Sequence, residues 1–170
     1  MNASPGVLAK KRIETPLGTL WAYVSDSGVR AILFAESDLP RNGVRGDVVE
    51  RPRHRTLCAV SQQITQYFSG TRVDFDLPLD PVGTEFQRAA WMALRQIPFG
   101  ETVSYGDQAL AIGRPLATRA IGAANGRNPL TIVVPCHRVI GKAGGLTGFS
   151  AGLDRKRWLL AHEGALHKKR

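Results

Sequence analysis

The chain has 170 residues, 43% of them hydrophobic, with a formal net charge of +9. It is long enough to bury a core, either as one domain or as a small domain fused to a second. No window approaches the roughly 18 apolar residues of a membrane span, and we expect no secretory signal. Two distant cysteines give no disulfide framework, so we expect a reducing, cytoplasmic compartment. The basic excess indicates an anionic partner, most simply nucleic acid, although a solvated basic face is the alternative.

The first part of the sequence predicts β-hairpins. Residues 12–25 hold two short extended runs around the turn signal Pro16-Leu17-Gly18, and residues 29–37 form a third run. Residues 40–55 are polar, basic and glycine-containing, which predicts a loop. These runs together predict a small sheet.

A helix and a domain boundary are predicted next. Apolar residues recur at helical spacing and a Ser-Gly pair ends the helix: Leu57, Val60, Ile64, Phe68, Ser69 and Gly70. Residues 73–80 alternate apolar and acidic side chains, as in a half-exposed strand or an extended linker. We expect a boundary near residues 76–83, which divides the chain into domains 1–80 and 81–170.

The second part is more helical. Thr84 and Gln87 fit a capping box, which satisfies two otherwise free backbone donors. An apolar stripe follows, and a proline stops the helix: Phe86, Ala90, Leu94, Ile97 and Pro98.

Two short helices joined by a tight turn predict a helix-turn-helix. Ser104 and Asp107 fit a capping signal for the first helix, and Gly113 can end it. Pro115 suits the first turn of a second helix over residues 115–125. Most such helical hairpins serve only packing, so the motif alone does not establish a function.

The end of the chain combines a short strand, a loop and a helix. Residues 128–134 predict a strand that leads into Pro135 and Cys136. Residues 141–152 predict a glycine-rich loop, and a last helix runs from Asp154 to the Glu163-Gly164 pair. The basic residues 167–170 predict a disordered tail that can touch phosphates.

The two cysteines differ in their surroundings. A free cysteine is usually a small buried hydrophobe, and this interpretation is strong for Cys58, beside the stripe of its helix. It is weaker for Cys136, because the adjacent His137 is a candidate base that would raise the reactive thiolate fraction.

A Cys-His pair generally needs a third group that holds the imidazole in one tautomer. The candidates are Glu163, Asp154 and Glu101, and spacing alone does not choose among them. His54 and Cys58 are four residues apart and could ligate a metal, but no second pair at metal spacing accompanies them. We therefore expect no metal.

The second helix of the predicted helix-turn-helix is nearly bare of side chains. Its small residues are Ala117, Ala120, Gly122, Ala123 and Ala124. Close helix packing is one explanation, and close approach of the backbone to a partner is the other. Arg119 is the one long cation of this helix, which makes DNA the partner to suspect.

Four motifs in register resemble those of the O⁶-alkylguanine-DNA alkyltransferase family of direct-reversal DNA repair proteins. They are "SYG", "RAIGAANGRNP", "PCHRV" and "HEG", and the strong resemblance covers residues 83–164. The N-terminal "TPLGTL" resembles the family's first domain less specifically. The resemblance implies an α/β (α+β) fold, with a small N-terminal RNase H-like sheet domain and a mainly helical C-terminal domain that carries the helix-turn-helix.

The resemblance also implies catalytic roles. Cys136 would attack the alkyl carbon on the guanine oxygen in one displacement. His137, backed by Glu163, would draw off the thiol proton through a water molecule. Tyr105 would donate a hydrogen bond or proton to the guanine and so make it a better leaving group. Asn128 would tie the recognition helix to the active-site strand.

Substrate contacts follow from the same resemblance. The carbonyls of Cys136 and Val139 and a donor at Ser150 would hold the base edge, while Arg119 would enter the duplex where the nucleotide is flipped out. The small residues Ala120, Gly122 and Ala123 would let the helix enter the minor groove.

The implied reaction needs no cofactor, because the acceptor is the protein's own sulfur, and each molecule should act once. The expected partner is double-stranded DNA that contains O⁶-alkylguanine, and O⁴-alkylthymine is a second expected substrate. We expect a monomer that can bind cooperatively along DNA. Three alternatives are a lesion-binding module without a reactive cysteine, a Cys-His-Glu hydrolase and a helix-turn-helix regulator.

Overall fold

The computed structural model describes residues 6–166 and divides the chain into two compact units, Met1–Val82 and Gly83–Arg170. Residues 167–170, for which the sequence predicts a disordered tail, lie outside the described residues. Within residues 6–166, no helix is long and apolar enough to cross a membrane.

The first unit contains a four-stranded sheet in the order β3-β2-β1-β4. Its strands are β1 (Leu8–Thr15), β2 (Gly18–Val24), β3 (Val29–Leu33) and β4 (Val48–Glu50). The first three strands pair antiparallel, which confirms the predicted hairpins, and β4 pairs parallel to β1. The prediction of a continuous loop over residues 40–55 was wrong at β4, because three exposed residues are too short a run to show a strand period.

Helix α1 (Arg55–Phe68) packs against β1 and β2. His54 caps it, since its Nδ1 accepts a hydrogen bond from the Thr56 amide at 3.2 Å. The apolar face buries Leu57, Val60, Ile64 and Tyr67. The last position of the predicted stripe was wrong, because Phe68 is only partly buried and Tyr67 takes the core position.

An extended segment follows α1 and ends the first unit. Residues 73–80 form no strand beyond an isolated bridge between Leu79 and Val29, so the extended linker is the correct alternative. The Asp80 carboxylate accepts hydrogen bonds from Ser25 and Arg30 and fixes the segment to the sheet.

The second unit begins with helix α2 (Glu85–Leu94), and both hydrogen bonds of the predicted Thr84–Gln87 capping box are present. The predicted end at Pro98 was wrong, because the chain tightens into a turn after Leu94. The amide of Ile97 bonds to the Leu94 carbonyl, three residues back, and Ile97 stays buried.

Helices α3 (Tyr105–Ala111) and α4 (Thr118–Gly126) form the predicted helix-turn-helix. Both bonds of the Ser104–Asp107 capping box are present. The predicted start of α4 at Pro115 was wrong, since residues 115–116 belong to the preceding turn. The turn's last residue, Ala117, is the N-cap of α4.

Helices α2, α3 and α4 share a small core of Ala90, Ala109, Ile121 and Ala124. Two buried amides, Gln108 and Asn125, exchange hydrogen bonds of 2.9 and 2.8 Å across α3 and α4. The indole nitrogen of Trp91 donates to the Ala124 carbonyl at 2.8 Å. These bonds fix α4 through its buried face and leave its other face free of the core.

The remaining elements are a two-stranded parallel sheet, β5 (Val103–Ser104) with β6 (Val139–Ile140), and helix α5 (Leu153–His162). The predicted glycine-rich loop lies between β6 and α5. Helix α5 begins at Leu153, one residue before the predicted start.

Candidate active site

A buried turn, not a strand, carries the chain into Cys136. The predicted strand over residues 128–134 was wrong, since Leu130 forms only a single bridge, residues 131–133 form a turn, and Ile132 has a left-handed backbone with φ of 73°. The Asn128 side chain forms hydrogen bonds with the backbone of this segment. Its oxygen accepts from the Leu130 amide at 2.9 Å and its nitrogen donates to the Val134 carbonyl at 2.8 Å.

Cys136 lies at the end of this turn, in the short 3₁₀ helix Cys136–Arg138, and is 8% exposed. Its sulfur accepts a hydrogen bond from Asn128 Nδ2 at 3.3 Å. Burial raises the pKa of the Cys136 thiol, while the Asn128 hydrogen bond and the charge of Lys156 partly oppose that rise. The resting site therefore holds a protonated thiol that needs a base.

The prediction of a buried Cys58 was wrong. Cys58 is exposed on the first turn of α1, where its thiol is 3.5 Å from the Pro52 carbonyl. His54 is occupied as the cap of the same helix. Within the described residues, no group of three His, Cys, Asp or Glu side chains is placed to hold a metal ion.

His137, Glu163 and Arg138 form a buried charge chain beside the cysteine. His137 Nε2 lies 2.7 Å from Glu163 Oε1, and Arg138 Nε donates to Glu163 Oε2 at 2.8 Å. Arg138 also donates to the Ile97 carbonyl at 2.6 Å. Of the three candidates for the orienting group, the structure brings Glu163 to the imidazole, whereas Glu101 and Asp154 are exposed.

The charges and burial of His137, Glu163 and Arg138 determine the protonation state of the His137 ring. Burial would raise the pKa of Glu163, but its bonds to His137 and Arg138 outweigh burial and lower that pKa well below its usual range. An ionised carboxylate only accepts, so we assign the imidazole hydrogen to Nε2. Burial lowers the pKa of His137, which keeps the ring neutral near pH 7. Its other nitrogen, Nδ1, is buried with no hydrogen-bond partner in the described part of the chain, so its lone pair is free to accept a proton.

Tyr105 begins α3 and is half-buried, and its hydroxyl donates to the Thr147 carbonyl at 3.0 Å. Burial raises the pKa of Tyr105, so the phenol stays protonated at neutral pH. An open pocket of about 500 Å³ lies beside it, lined in part by Ser104, Thr118 and Lys142. Cys136 does not line this pocket.

The outer face of α4 is bare. Arg119, Ala120 and Ala123 are exposed, whereas Ile121 and Ala124 are buried. A Cβ added at Gly122 would meet only Tyr105 Cε1, at 4.0 Å, so no neighbouring atom requires a glycine there. Close helix packing explains Ala124, which lies in the shared core, but not Ala120, Gly122 and Ala123.

Val139 and Ser150 differ in burial. Val139 is buried, and its carbonyl accepts from Lys156 Nζ at 2.6 Å. Ser150 is exposed on the loop between β6 and α5. The Cys136 carbonyl accepts from the Val139 amide. The structure thus gathers Cys136, Val139 and Asn128 around one turn and leaves Ser150 on the surface.

Two charged residues of the site were missed by sequence reasoning. Arg138 is buried against Glu163, and Lys156 is completely buried in α5. Lys156 lies three and four residues before Leu159 and Leu160, on the apolar face of its helix. A lysine at a position of the helical pattern that faces the core is the sequence feature that could have predicted its burial.

The basic charge is concentrated in the second unit. Residues 83–170 contain thirteen Lys and Arg against five Asp and Glu, a net charge of +8. Residues 1–82 contain ten against nine. The unit that holds the buried thiol and the bare helix therefore also carries the field that attracts a polyanion.

Comparisons with known proteins agree with this geometry. Residues 85–165 match the model for the DNA-binding domain of 6-O-methylguanine DNA methyltransferase, and residues 8–81 match its ribonuclease-like domain. A methylated-DNA–protein-cysteine methyltransferase of Mycolicibacterium paratuberculosis is 56% identical over 153 residues, 90% of each chain. One of Salmonella typhimurium is 44% identical over 166 residues, 94% of this chain and 97% of the other. The crystal structure of Mycobacterium tuberculosis OGT in complex with DNA superposes with a TM-score of 0.82 at 40% identity, covering 95% of this chain and 94% of the other.

A buried cysteine followed in sequence by the histidine of a histidine–glutamate pair, in a basic unit with a helix-turn-helix, defines a protein that combines a buried thiol with a nucleic-acid-binding motif. Both family models and both relatives identify a narrower class of protein. The chain belongs to the 6-O-methylguanine DNA methyltransferase family.

Proposed function

We propose that this protein repairs DNA by direct reversal, by moving the alkyl group of O⁶-alkylguanine onto its own Cys136. The observation that carries the proposal is the buried thiol bonded to Asn128 beside the His137–Glu163 pair, in a chain of this family. O⁴-alkylthymine is a second substrate, because it presents the same alkyl–oxygen bond.

The proposed reaction is a single displacement. Cys136 Sγ forms a bond to the alkyl carbon, and the bond from that carbon to guanine O⁶ breaks with its electrons going to the base. The thiol proton passes through a water molecule to His137 Nδ1, and Glu163 stabilises the resulting imidazolium. Tyr105 donates to the guanine as negative charge develops on it. The thioether is stable and no group here cleaves it, so each molecule acts once.

The turn at Cys136 supplies the base-binding groups. We propose that the carbonyls of Cys136 and Val139 accept from the guanine edge and that Ser150 donates to it. Both carbonyls already accept one hydrogen bond, and a carbonyl oxygen has a second lone pair for the base. Ser150 would reach the base from the exposed loop.

We propose that the bare face of α4 is the surface that contacts DNA. Arg119, Ala120, Gly122 and Ala123 would enter the minor groove, and Arg119 would fill the space left by the flipped nucleotide. This assigns repair to the domain of residues 81–170, while residues 1–80 form the ribonuclease-like domain. The protein would act as a monomer that binds cooperatively along DNA, in the reducing cytoplasm, where its thiol stays free.

Intact mass measurement tests the proposal. Incubation with a duplex carrying one O⁶-methylguanine should add one methyl group per molecule, mapped by peptide analysis to Cys136. Cys136→Ser should gain no mass and still bind the duplex, whereas Cys58→Ser, the matched control, should react fully. A methyl group on Cys58, or product formed repeatedly without a mass change, would contradict the proposal. Affinity for undamaged duplex should fall with salt, by a slope of about 0.9 per phosphate contacted.

A further inference from the structure

Lys156 is a buried charge that the proposed proton path does not use. It is completely buried in α5, although lysine is among the residues least often found in protein cores. Its ammonium donates to the Val139 carbonyl at 2.6 Å and to the Thr147 carbonyl at 2.8 Å. An apolar side chain of the same length would avoid the cost of burying a charge. The ammonium therefore has a role that packing does not explain.

The Thr147 carbonyl is also the acceptor of Tyr105. The Tyr105 hydroxyl donates to it at 3.0 Å, so Tyr105 and Lys156 meet at one oxygen. The loop is shaped around the phenol at this point. The next residue, Gly148, has φ of 58°, and a Cβ there would lie 3.4 Å from the Tyr105 hydroxyl oxygen.

The Tyr105 hydroxyl cannot donate to the Thr147 carbonyl and to the substrate base at the same time. A tyrosine hydroxyl has one hydrogen, and in the resting structure that hydrogen goes to Thr147. Tyr105 cannot donate to a guanine until it leaves Thr147. When it leaves, the loop loses one of the two side chains that hold this carbonyl.

We propose that Lys156 is a positioning residue for alkyl transfer: it holds the Val139 and Thr147 carbonyls in place while the Tyr105 hydroxyl turns to the substrate base. The inference rests on the proposed function. Without the ammonium, Tyr105 would be the remaining side-chain donor on Thr147, and its transfer to the base would release the loop. The pocket wall and the Val139 carbonyl would then be less well placed for the guanine.

The same ammonium also acts on the nucleophile. Its positive charge lowers the pKa of the Cys136 thiol against the effect of burial. Tyr105 on α3 also interacts electrostatically with this thiol, and His137 follows it directly in the chain. A test of positioning must therefore separate the placement of the base from the reactivity of the sulfur.

The experiment compares Lys156→Met with Arg157→Met, which removes the same charge from an exposed neighbouring position of α5. For each variant, the rate of alkyl transfer from free O⁶-alkylguanine is divided by the rate of Cys136 modification by iodoacetamide at the same pH. This ratio removes differences in thiol reactivity. We expect Lys156→Met to lower it by about tenfold to 100-fold, the size of effect that misplacement by about 1 Å can produce. Arg157→Met should leave it unchanged.

A double-mutant comparison distinguishes positioning from general damage. Tyr105→Phe removes the hydroxyl whose movement Lys156 is proposed to permit. Lys156→Met should therefore lower the ratio less in the Tyr105→Phe background than in the wild-type background, because the hydroxyl contribution that Lys156 permits is already absent there and only the displacement of the two carbonyls remains. An equal factor in both backgrounds, or a Lys156→Met ratio equal to that of Arg157→Met, would overturn the inference. If Lys156→Met does not fold, Lys156→Gln, which removes the charge and replaces the ammonium by a shorter amide, takes its place in both backgrounds. A wild-type protein that took up no alkyl group would instead refute the proposed function.

Discussion

Asn128 donates to the sulfur of Cys136 at 3.3 Å from the same nitrogen that donates to the Val134 carbonyl at 2.8 Å. One buried amide thus shapes the turn before the cysteine and contacts the cysteine itself. Because its oxygen also accepts from the Leu130 amide, both ends of the side chain are used. The position of the thiol is therefore coupled to the fold of residues 128–136.

Asn128→Ala should destabilise the protein by about 1–3 kcal/mol, because the buried Leu130 amide loses its Asn128 acceptor. The Val134 carbonyl loses one of its two hydrogen bonds and still accepts from the Cys136 amide at 2.9 Å. Urea unfolding of the two proteins measures the difference. Asn125→Ala, which breaks the buried amide pair with Gln108 away from the thiol, is the control. Both variants should lose stability, but Asn128→Ala alone should slow iodoacetamide modification at a fixed pH, because it also removes a hydrogen bond that lowers the thiol pKa. Equal thiol reactivity in the two variants would argue against the coupling.

Local signals in the sequence predicted most helices of the fold. Both capping boxes, at Thr84 and Ser104, are formed, because a cap depends on residues three apart in the chain. The apolar stripe of α1 and the hairpin of β1 and β2 were predicted for the same reason. The incorrect predictions fall where a residue distant in sequence, or a side-chain hydrogen bond, determines the backbone conformation. The run of β-branched residues before Cys136 favours a strand, but Asn128 supplies backbone bonds that no strand period reveals.

The site was predictable in part. Cys136 and His137 are adjacent in sequence, so a catalytic pair remains a prediction from that adjacency, whereas the choice of Glu163 over Glu101 and Asp154 as the partner of His137 depended on how α5 packs. Arg138 and Lys156 were missed because a buried cation contradicts the usual distribution of charge. Arg138 is held by groups 25 and 41 residues away, and Lys156 by carbonyls 9 and 17 residues away, beyond the reach of a helical pattern.

The stability of the protein should fall as the pH drops below about 6.5, the ordinary value for histidine. Burial lowers the pKa of His137 in the folded protein. Between that lowered value and the unfolded one, the unfolded chain binds a proton that the folded protein excludes, so stability rises with pH. The depressed pKa of Glu163 adds a further loss only below the ordinary glutamate range. Urea unfolding at pH 7.5 and 5.0 measures the slope, which His137→Gln should reduce. An identical slope in the variant would show that other groups cause it.

Arg119→Ala should slow repair of duplex DNA on the order of tenfold or more, since nucleotide flipping costs a few kcal/mol that an inserted side chain offsets. Reaction with free O⁶-alkylguanine should be unchanged, because Arg119 is exposed on the outer face of α4. Single-turnover rates on both substrates provide the comparison. Arg88→Ala, on α2, controls for the loss of one positive charge. Equal slowing on duplex and free base would place Arg119 in the reaction pocket.

Gly122→Ala should separate stability from function. Alanine favours the helix interior by about 1 kcal/mol over glycine, and its Cβ would meet only Tyr105 Cε1, at 4.0 Å. The variant should therefore unfold at a higher urea concentration. It should also repair duplex DNA more slowly, because the added methyl group stands on the face proposed to enter the minor groove. Faster or unchanged duplex repair would mean that this part of α4 does not approach DNA closely.

Alkylation of Cys136 should weaken the fold that holds it. The sulfur is buried and contacts Asn128 at 3.3 Å, so a methyl group on it must displace that amide or compress its neighbours. An extra methylene-sized group in a packed site typically costs about 1–3 kcal/mol, a substantial part of the about 5–15 kcal/mol by which proteins are stable. Because Asn128 also holds Leu130 and Val134, we expect the disturbance to spread through residues 125–140. Melting temperature and limited proteolysis, before and after stoichiometric methylation, measure the effect, with methylated-duplex-treated Cys136→Ser as the control. An unchanged melting temperature with unchanged cleavage in this segment would show that the pocket accepts the methyl group without strain, and that the Asn128 bonds do not depend on the state of the sulfur.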